Sequence, residues 1–473
     1  MIPRISIAVF LVVTLLLAAP TPIATAQEAT PAASTLPDGV TVVAAGLTNP
    51  RGFTWDADGT LVLALAGTGG PNQVIAAGTP FPFFGGKSSS IVQVDHGCTT
   101  PIAEEIASFL WTDPGWIWGA MDVASLDGTL YALLGGGGAD TGQPESPNGV
   151  YRVNEDGTTE LVADLSAWFR EHPPAEQPWD YGADGSLFDL EAGEDRLWVS
   201  EAVGGRLLTV TPEGEITLVA DLSQDHLVPS GIALAPDGGA YVNHETVVPF
   251  PDGAAKVIHV AEDGTVSDQW TGLTAGTDLV LGPEETLYAV EMATGNRDAP
   301  PYLTPGSGRV VRQTGPESLE PVVTDIPYPV YLAFGPDGAL YLTYPAFGPD
   351  AGQGQGALLR IDLTTGAPVS LAGLGELEPS CANGSSTTSA SEAAAVTIAD
   401  FTFAPQELTV PAGTAVTWAN ADGTPHTITA DEAGFDSGRL DPDGTFDQTF
   451  ETAGRFAYHC AFHPGMAGTV IVQ

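Results

Sequence analysis

Near the C-terminus, the run Tyr458-His459-Cys460-Ala461-Phe462-His463-Pro464-Gly465-Met466 sets a thiol, an imidazole and a thioether within seven residues, and His426 stands 34 positions before Cys460. A thiolate, two imidazoles and a thioether in the order His, Cys, His, Met form the set that holds copper in a trigonal His2Cys site with a weak axial Met. The sulfur ligands stabilise Cu(I) while the imidazoles also suit Cu(II), so neither oxidation state is strongly favoured and the chemistry indicated is one-electron transfer. Two residues separate Cys460 from His463, and two separate His463 from Met466, so one short loop can present three donors. The fourth, His426, must come from elsewhere. Val416–Asn420 reads as a strand, Asp422-Gly423 as a turn, and His426 as a ligand at the start of the next strand. His459 neighbours Cys460, and strand alternation turns it to the opposite face, as a structural or surface histidine.

The segment 395–473 resembles a small cupredoxin, most closely the amicyanin and plastocyanin group. The resemblance implies a Greek-key β-sandwich with one type 1 (blue) copper ion held by His426, Cys460, His463 and Met466, the short Cys-to-Met loop being the amicyanin-like version. It further implies that the edge of the His463 imidazole is exposed in an apolar surround, here Phe462, Pro464 and Gly465, through which electrons pass to a redox partner.

Upstream, 37–373 repeats itself. An apolar strand, an Asp-Gly-type turn and a second strand recur six times, with second strands anchored at Leu61, Leu130, Leu197, Ala240, Leu287 and Leu340. Each copy is followed by a second hairpin, such as Val150-Tyr151-Arg152-Val153 and Leu161–Leu165 around Asp156-Gly157. Four short strands per unit, six units and no strong helical period predict a six-bladed β-propeller. The fold class is therefore all-β, a six-bladed propeller followed by the small sandwich. Val40–Ala45 is expected to pair in the last blade and close the ring, with Pro368–Leu371 competing for that role.

The phrase Gly46-Leu47-Thr48-Asn49-Pro50-Arg51-Gly52-Phe53, the Asp-Gly-Thr-Leu turns and the Gly-Val-Tyr-Arg-Val hairpin together resemble the secreted propeller family named after cyanobacterial scytonemin biosynthesis. That resemblance brings no catalytic motif with it. Insertions such as 66–88, 109–118 and 166–185 are read as loops on one face carrying Phe81, Phe83, Phe84, Trp111, Trp116, Trp118, Trp168, Trp179, Tyr302 and Phe347. They offer a surface for a small ligand or protein partner, or pack under their own loops. Asp122, Asp189 and Asp278 in first strands, and Glu201, His244 and Glu291 at the ends of second strands, are read as strand-end caps rather than as a site.

Residues 1–26 have the charged start, apolar run and Ala24-Thr25-Ala26 exit of a secretory signal peptide, and 27–36 and the linker 374–394 are unstructured by composition. No segment after cleavage is long and apolar enough to span a bilayer, so a secreted or periplasmic location is expected. Lys and Arg total 14 against 59 Asp and Glu, a net charge of -45, which disfavours nucleic acid and favours a basic or neutral partner. Of three cysteines, the copper thiolate accounts for Cys460. Cys98, in the first repeat, and Cys381, just past the sixth, are expected to pair across the closure seam.

The main expectation is an exported electron-transfer protein, more an electron carrier than a stand-alone enzyme, whose propeller binds a partner or ligand. Two alternatives stay open: an oxidoreductase whose propeller passes substrate electrons to copper, and a binding scaffold with structural copper.

Overall fold

A computed structural model describes residues 36–74, 83–111, 115–178, 180–299, 302–345, 356–363, 367–374, 377, 394–399, 401–404, 406–410, 414–422, 424–430, 435, 437–442, 444–450, 454–463 and 466–472. The proposed signal peptide, Cys381 and most of the linker lie outside the described residues. The chain divides into two compact units, 1–382 and 383–473.

The first unit contains six sheets in succession, each built around an antiparallel run of four strands. Their first strands are Pro50–Trp55, Ala120–Leu126, Leu187–Ala192, Val228–Leu234, Gly276–Leu281 and Tyr331–Phe334. Each packs against the first strand of the next sheet, and the sixth packs against the first, so the sheets close a circle. The all-β expectation holds, and the closed circle is consistent with six blades.

Apolar side chains fill the gaps between successive sheets. Ile91 of the first shares one packed cluster with Val123 and Ala132 of the second, Leu207 of the third with Ile232 and Val242 of the fourth, and Val310 of the fifth with Leu342 and Leu359 of the sixth. A strand in the middle of such a sheet is covered on both faces, so Leu61–Leu65 and Leu197–Glu201 are buried at every position. This is why the sequence shows apolar runs there instead of strict alternation.

The turns follow from local chemistry. Asp56 accepts the backbone N–H groups of Asp58 and Thr60 at 2.9 and 2.8 Å, and Gly59 sits at φ +79°, a conformation that glycine adopts without steric cost.

Closure falls to the N-terminal strand. Val40–Leu47 pairs antiparallel with Gly356–Ile361, completing the sixth sheet, whereas Val369–Ser370 pairs parallel with Ser318–Ile326 at the edge of the fifth. Two insertions differ from the expected loops. Phe83–Asp95 and Cys98–Trp111 form one long hairpin reaching beyond its sheet, held by the cross-strand pairs Phe83 with Trp111 and Phe84 with Leu110, and Trp116–Trp118 adds a further strand. Aromatic cross-strand pairs stabilise such a ribbon. The second is a helix, Leu165–Glu171, capped by Asp164, which accepts from the Ala167 N–H at 2.8 Å, and anchored by fully buried Phe169.

The second unit is a sandwich of two four-stranded sheets. One runs Thr402–Ala404, Ala394–Ala399, Thr414–Asn420, Thr445–Phe450; the other Glu407–Val410, Ala467–Val472, Gly454–His459, Thr429–Ala430. Between them lie Val396, Ile398, Val416, Trp418, Tyr458 and Val470, each fully buried, with Cys460 and Met466 in the same packed cluster.

Candidate metal centre

Cys460 follows directly on the strand Gly454–His459, and Met466 stands directly before Ala467–Val472. The Cys460 carbonyl accepts from the His463 N–H at 3.3 Å, the His463 carbonyl from the Met466 N–H at 3.2 Å, and the Met466 carbonyl from the Cys460 N–H at 3.0 Å. Those bonds tie Cys460, His463 and Met466 to one another. His426 arrives from the other side, paired through its backbone with Leu440 as an isolated bridge three residues before the strand Thr429–Ala430. It thus precedes that strand instead of opening it.

The donors converge. Cys460 Sγ lies 3.7 Å from His426 Nδ1 and 3.4 Å from His463 Nδ1, and the two Nδ1 atoms are 3.2 Å apart. A first-row ion sits about 2.0–2.1 Å from imidazole nitrogen and about 2.3 Å from thiolate sulfur. At such bond lengths and near-trigonal angles the edges of the donor triangle come to roughly 3.3–3.8 Å, close to those found. His426 is fully buried, Cys460 and Met466 are 3% and 5% exposed, and His463 is half-buried. Three donors facing one another in a largely buried site make sense around a cation, and the donor set, with Met466 packed in the same cluster as Cys460, suits copper. Among the described residues these three are the group of His, Cys, Asp or Glu side chains that could hold a metal ion, and His459 is not in it.

Surrounding bonds fix the site. The Thr427 N–H donates to Cys460 Sγ at 3.3 Å, and Thr427 Oγ1 accepts from the Ala461 N–H at 2.7 Å, tying the His426 segment to the ligand loop. His426 Nε2 lies 3.0 Å from Asp422 Oδ2, and the ring of Phe401 stands edge-on to both imidazoles, 4.9 Å from His463 and 5.5 Å from His426. Asp422 and Phe401 were not legible as part of the site. The only trace in the sequence is that Asp422 lies four residues before a ligand.

In the first unit the acidic residues behave as caps. Asp122 Oδ2 accepts the Leu190 N–H of the next sheet at 3.0 Å, Asp189 the Ile232 N–H at 2.6 Å and Asp278 the Leu332 N–H at 2.8 Å. Glycine makes room for two of them, since a Cβ at Gly52 would fall 1.7 Å from Asp122 Oδ1 and one at Gly231 2.2 Å from Asp278 Oδ1. Burial, with the nearby Asp189 charge adding to it, raises Asp122 and Asp278 well above the usual carboxylate range, and burial pushes Asp189 up to about 6. Glu201 and Glu291 are fully buried and paired with Arg206 and Arg309. His244, at the corresponding strand end, is pulled down to about 4, first by burial and then by Lys256, and is therefore neutral.

The loop aromatics largely pack on one another. Phe109 stacks on Trp118 at 5.0 Å, Phe83 meets Phe109 and Trp111 edge-on at 5.6 Å, and Trp168 stacks on His172 at 4.5 Å. Phe84 and Tyr302 are half-buried, and Phe81, Trp179 and Phe347 lie outside the described residues.

Comparison with known proteins gives a match to a family described as cupredoxin-like domain over residues 380–472. The chloroplastic plastocyanin of Tetradesmus obliquus is 39% identical over 84 residues, covering 15% of this chain and 58% of that protein. A plastocyanin of Scenedesmus fuscus is 37% identical over 84 residues, covering 15% of this chain and 86% of that protein. An amicyanin of Paracoccus denitrificans is 34% identical over 83 residues, with 16% and 63% covered. The chain thus spans little more than half the length of the first of these relatives. Among solved structures, a purple cupredoxin from Nitrosopumilus maritimus is 32% identical over 17% of this chain and 99% of its own, at a TM-score of 0.17.

Proposed function

Because the chain belongs to the cupredoxin-like family through its C-terminal unit, we propose that it is an exported copper protein whose second unit carries one electron at a time. One type 1 copper ion is held by His426, Cys460 and His463, with Met466 as the weak axial ligand; when bound, it supplies the one-electron couple. The observation that carries this reading is the buried triangle of Sγ and two Nδ1 atoms with edges of 3.2–3.7 Å. The test is anaerobic copper loading of the full chain followed by reductant and oxidant cycles. One copper per chain and full recovery of the oxidised spectrum are expected; copper that binds without cycling favours a structural role instead.

Residues 37–373 are read as a six-bladed β-propeller that binds a partner or ligand, joined by the linker 374–394 to the copper domain at 395–473. Tyr331 of the sixth sheet donates its hydroxyl to the Phe188 carbonyl of the third, and the two rings stack at 5.7 Å across the middle of the circle. This contact ties opposite sheets together beside a small cavity lined by Asp122, Asp189, Asp278 and Tyr331. The signal-peptide pattern of residues 1–26 and the disulfide below support a location outside the cytoplasm.

Cys98 is disulfide-bonded and Cys460 is free, while Cys381 lies outside the described residues. Peptide mapping under non-reducing conditions is expected to join Cys98 to Cys381. A Cys98–Cys460 peptide would overturn both the seam and the copper assignment.

Electrons are expected to pass at His463, flanked by Phe462 and Phe401, which are 49% and 50% exposed. Phe462→Glu places a charge in the face that must be desolvated when a partner docks, so electron self-exchange should slow by about tenfold or more while the visible spectrum is retained. NMR line broadening in mixed oxidation states measures this rate, and an unchanged value would exclude the patch as the port.

A further inference from the structure

One carboxylate oxygen of Asp422 serves two groups that belong to different strands. Oδ2 lies 3.0 Å from His426 Nε2, and it accepts the Phe401 backbone N–H at 3.0 Å. With Nδ1 of His426 turned toward Cys460 and His463, Nε2 is the ring nitrogen placed to donate a proton to Asp422. The carboxylate is itself positioned: the Asp422 N–H donates to Asn420 Oδ1 at 3.1 Å, and Asn420 Nδ2, almost wholly buried, donates to the carbonyls of Thr424 at 3.0 Å and Leu440 at 3.1 Å. The Leu440 backbone pairs in turn with that of His426. Asn420 thus shapes the turn so that Asp422 lies behind the buried imidazole, with its side chain 14% exposed.

Phe401 supplies the second half of the arrangement. It is the tight corner between Ala394–Ala399 and Thr402–Ala404, at φ +58°, a left-handed conformation that is strained for a residue with a Cβ. Such a conformation persists where surrounding bonds over-determine it, and the Asp422 oxygen provides one. Its ring, half exposed, lies edge-on to both imidazoles, where it shields the donor cluster from water.

Building on the copper reading above, we propose that Asp422 is the positioning residue of the centre: it fixes His426 with Nδ1 facing the donor cluster and, through the same oxygen, seats Phe401 as an aromatic cover over both imidazoles. A carboxylate on the far side of a metal-binding imidazole orients the ring and raises its basicity, and loss of such a partner typically costs about 10- to 100-fold in metal affinity. Extra electron density on the imidazole favours the more highly charged ion, so Asp422 tightens Cu(II) more than Cu(I).

The test uses the full chain and two variants, Asp422→Ala and Asp422→Asn. Alanine removes both contacts; asparagine keeps a neutral acceptor oxygen for the Phe401 N–H but discards the charge. In metal-free protein, hydrogen exchange at the Phe401 amide and the 15N shifts of the His426 ring report the clamp without copper. Asp422→Ala is expected to speed Phe401 exchange and to mix the His426 tautomers, while Asp422→Asn keeps Phe401 protected. In copper-loaded protein, both variants should bind Cu(II) more weakly, by about 10- to 100-fold for alanine, and both should be more easily reduced than the parent. Parental Phe401 exchange and His426 shifts in Asp422→Ala would overturn the proposal, as would Cu(II) affinity within twofold of the parent. Should Asp422→Ala not fold, Asp422→Asn decides, because an unchanged reduction potential there rules out the charge effect. A chain that takes up no copper would end the electron-transfer reading, and the metal-free arm would then decide the clamp alone.

Discussion

Copper-loaded Cys460→Ser protein is expected to be colourless. The intense visible absorption of a His2Cys copper site arises from charge transfer between thiolate sulfur and metal, and the second unit contains this one cysteine after the linker. A serine hydroxyl does not ionise near neutral pH, so the variant loses the anionic ligand along with the soft one, and Cu(II) affinity should fall as well. The fold should survive. Cys460 is 3% exposed, yet the swap changes little volume, and its backbone N–H stays bonded to the Met466 carbonyl at 3.0 Å. A hydroxyl can still accept from the Thr427 N–H, which donates to the sulfur at 3.3 Å in the parent. Absorption and circular dichroism on the same sample separate the outcomes: loss of colour with intact strand signal confirms the ligand, and retained colour shows that Cys460 does not bind the metal.

In the first unit, Glu201→Leu should destabilise by about 3–5 kcal/mol, the usual cost of leaving one member of a buried ion pair uncompensated. Glu201 is fully buried and Arg206 is 1% exposed, with Arg206 Nη2 3.0 Å from Glu201 Oε2. The carboxylate also accepts the backbone N–H groups of Ser186 at 3.0 Å and Gly204 at 2.9 Å, so leucine strands two further donors. The guanidinium keeps its bond to the His172 carbonyl at 2.8 Å and its place 4.1 Å from the Phe169 ring centre, which limits the loss but does not neutralise the charge. Urea denaturation followed by tryptophan fluorescence measures the shift. The double variant Glu201→Leu with Arg206→Met should recover much of it, since removing both charges avoids the desolvation cost. Breaking the exposed Arg439–Asp441 pair, whose side chains are 62% and 65% exposed, should have little effect. Equal losses for the buried and exposed pairs would contradict this account.

Features that depend on short-range spacing can be read from the chain alone. Cys460, His463 and Met466 fall within one loop, and no tertiary arrangement is needed to bring them near one another. Asp-Gly turns recur because an Asp side chain can bond its own backbone two residues on and glycine tolerates positive φ, both local properties. The six-fold repeat of strand pairs was legible for the same reason. Contacts between segments far apart in the chain emerge only on folding. Asp422 meets Phe401 across 21 residues and Tyr331 reaches Phe188 across 143, and neither pair has a periodic signal. Val40–Leu47 and Val369–Ser370 both read as strands that could close the ring; the edge each joins depends on which partner strand stands open once the circle has closed. The aromatic hairpin and the helix at Leu165–Glu171 have the same origin: tryptophan and phenylalanine side chains in an insertion read as loop until packing gives them a surface to cover. A side chain's direction is set by the register and twist of the strand that carries it, and these are fixed by burial against neighbours that the linear order does not name.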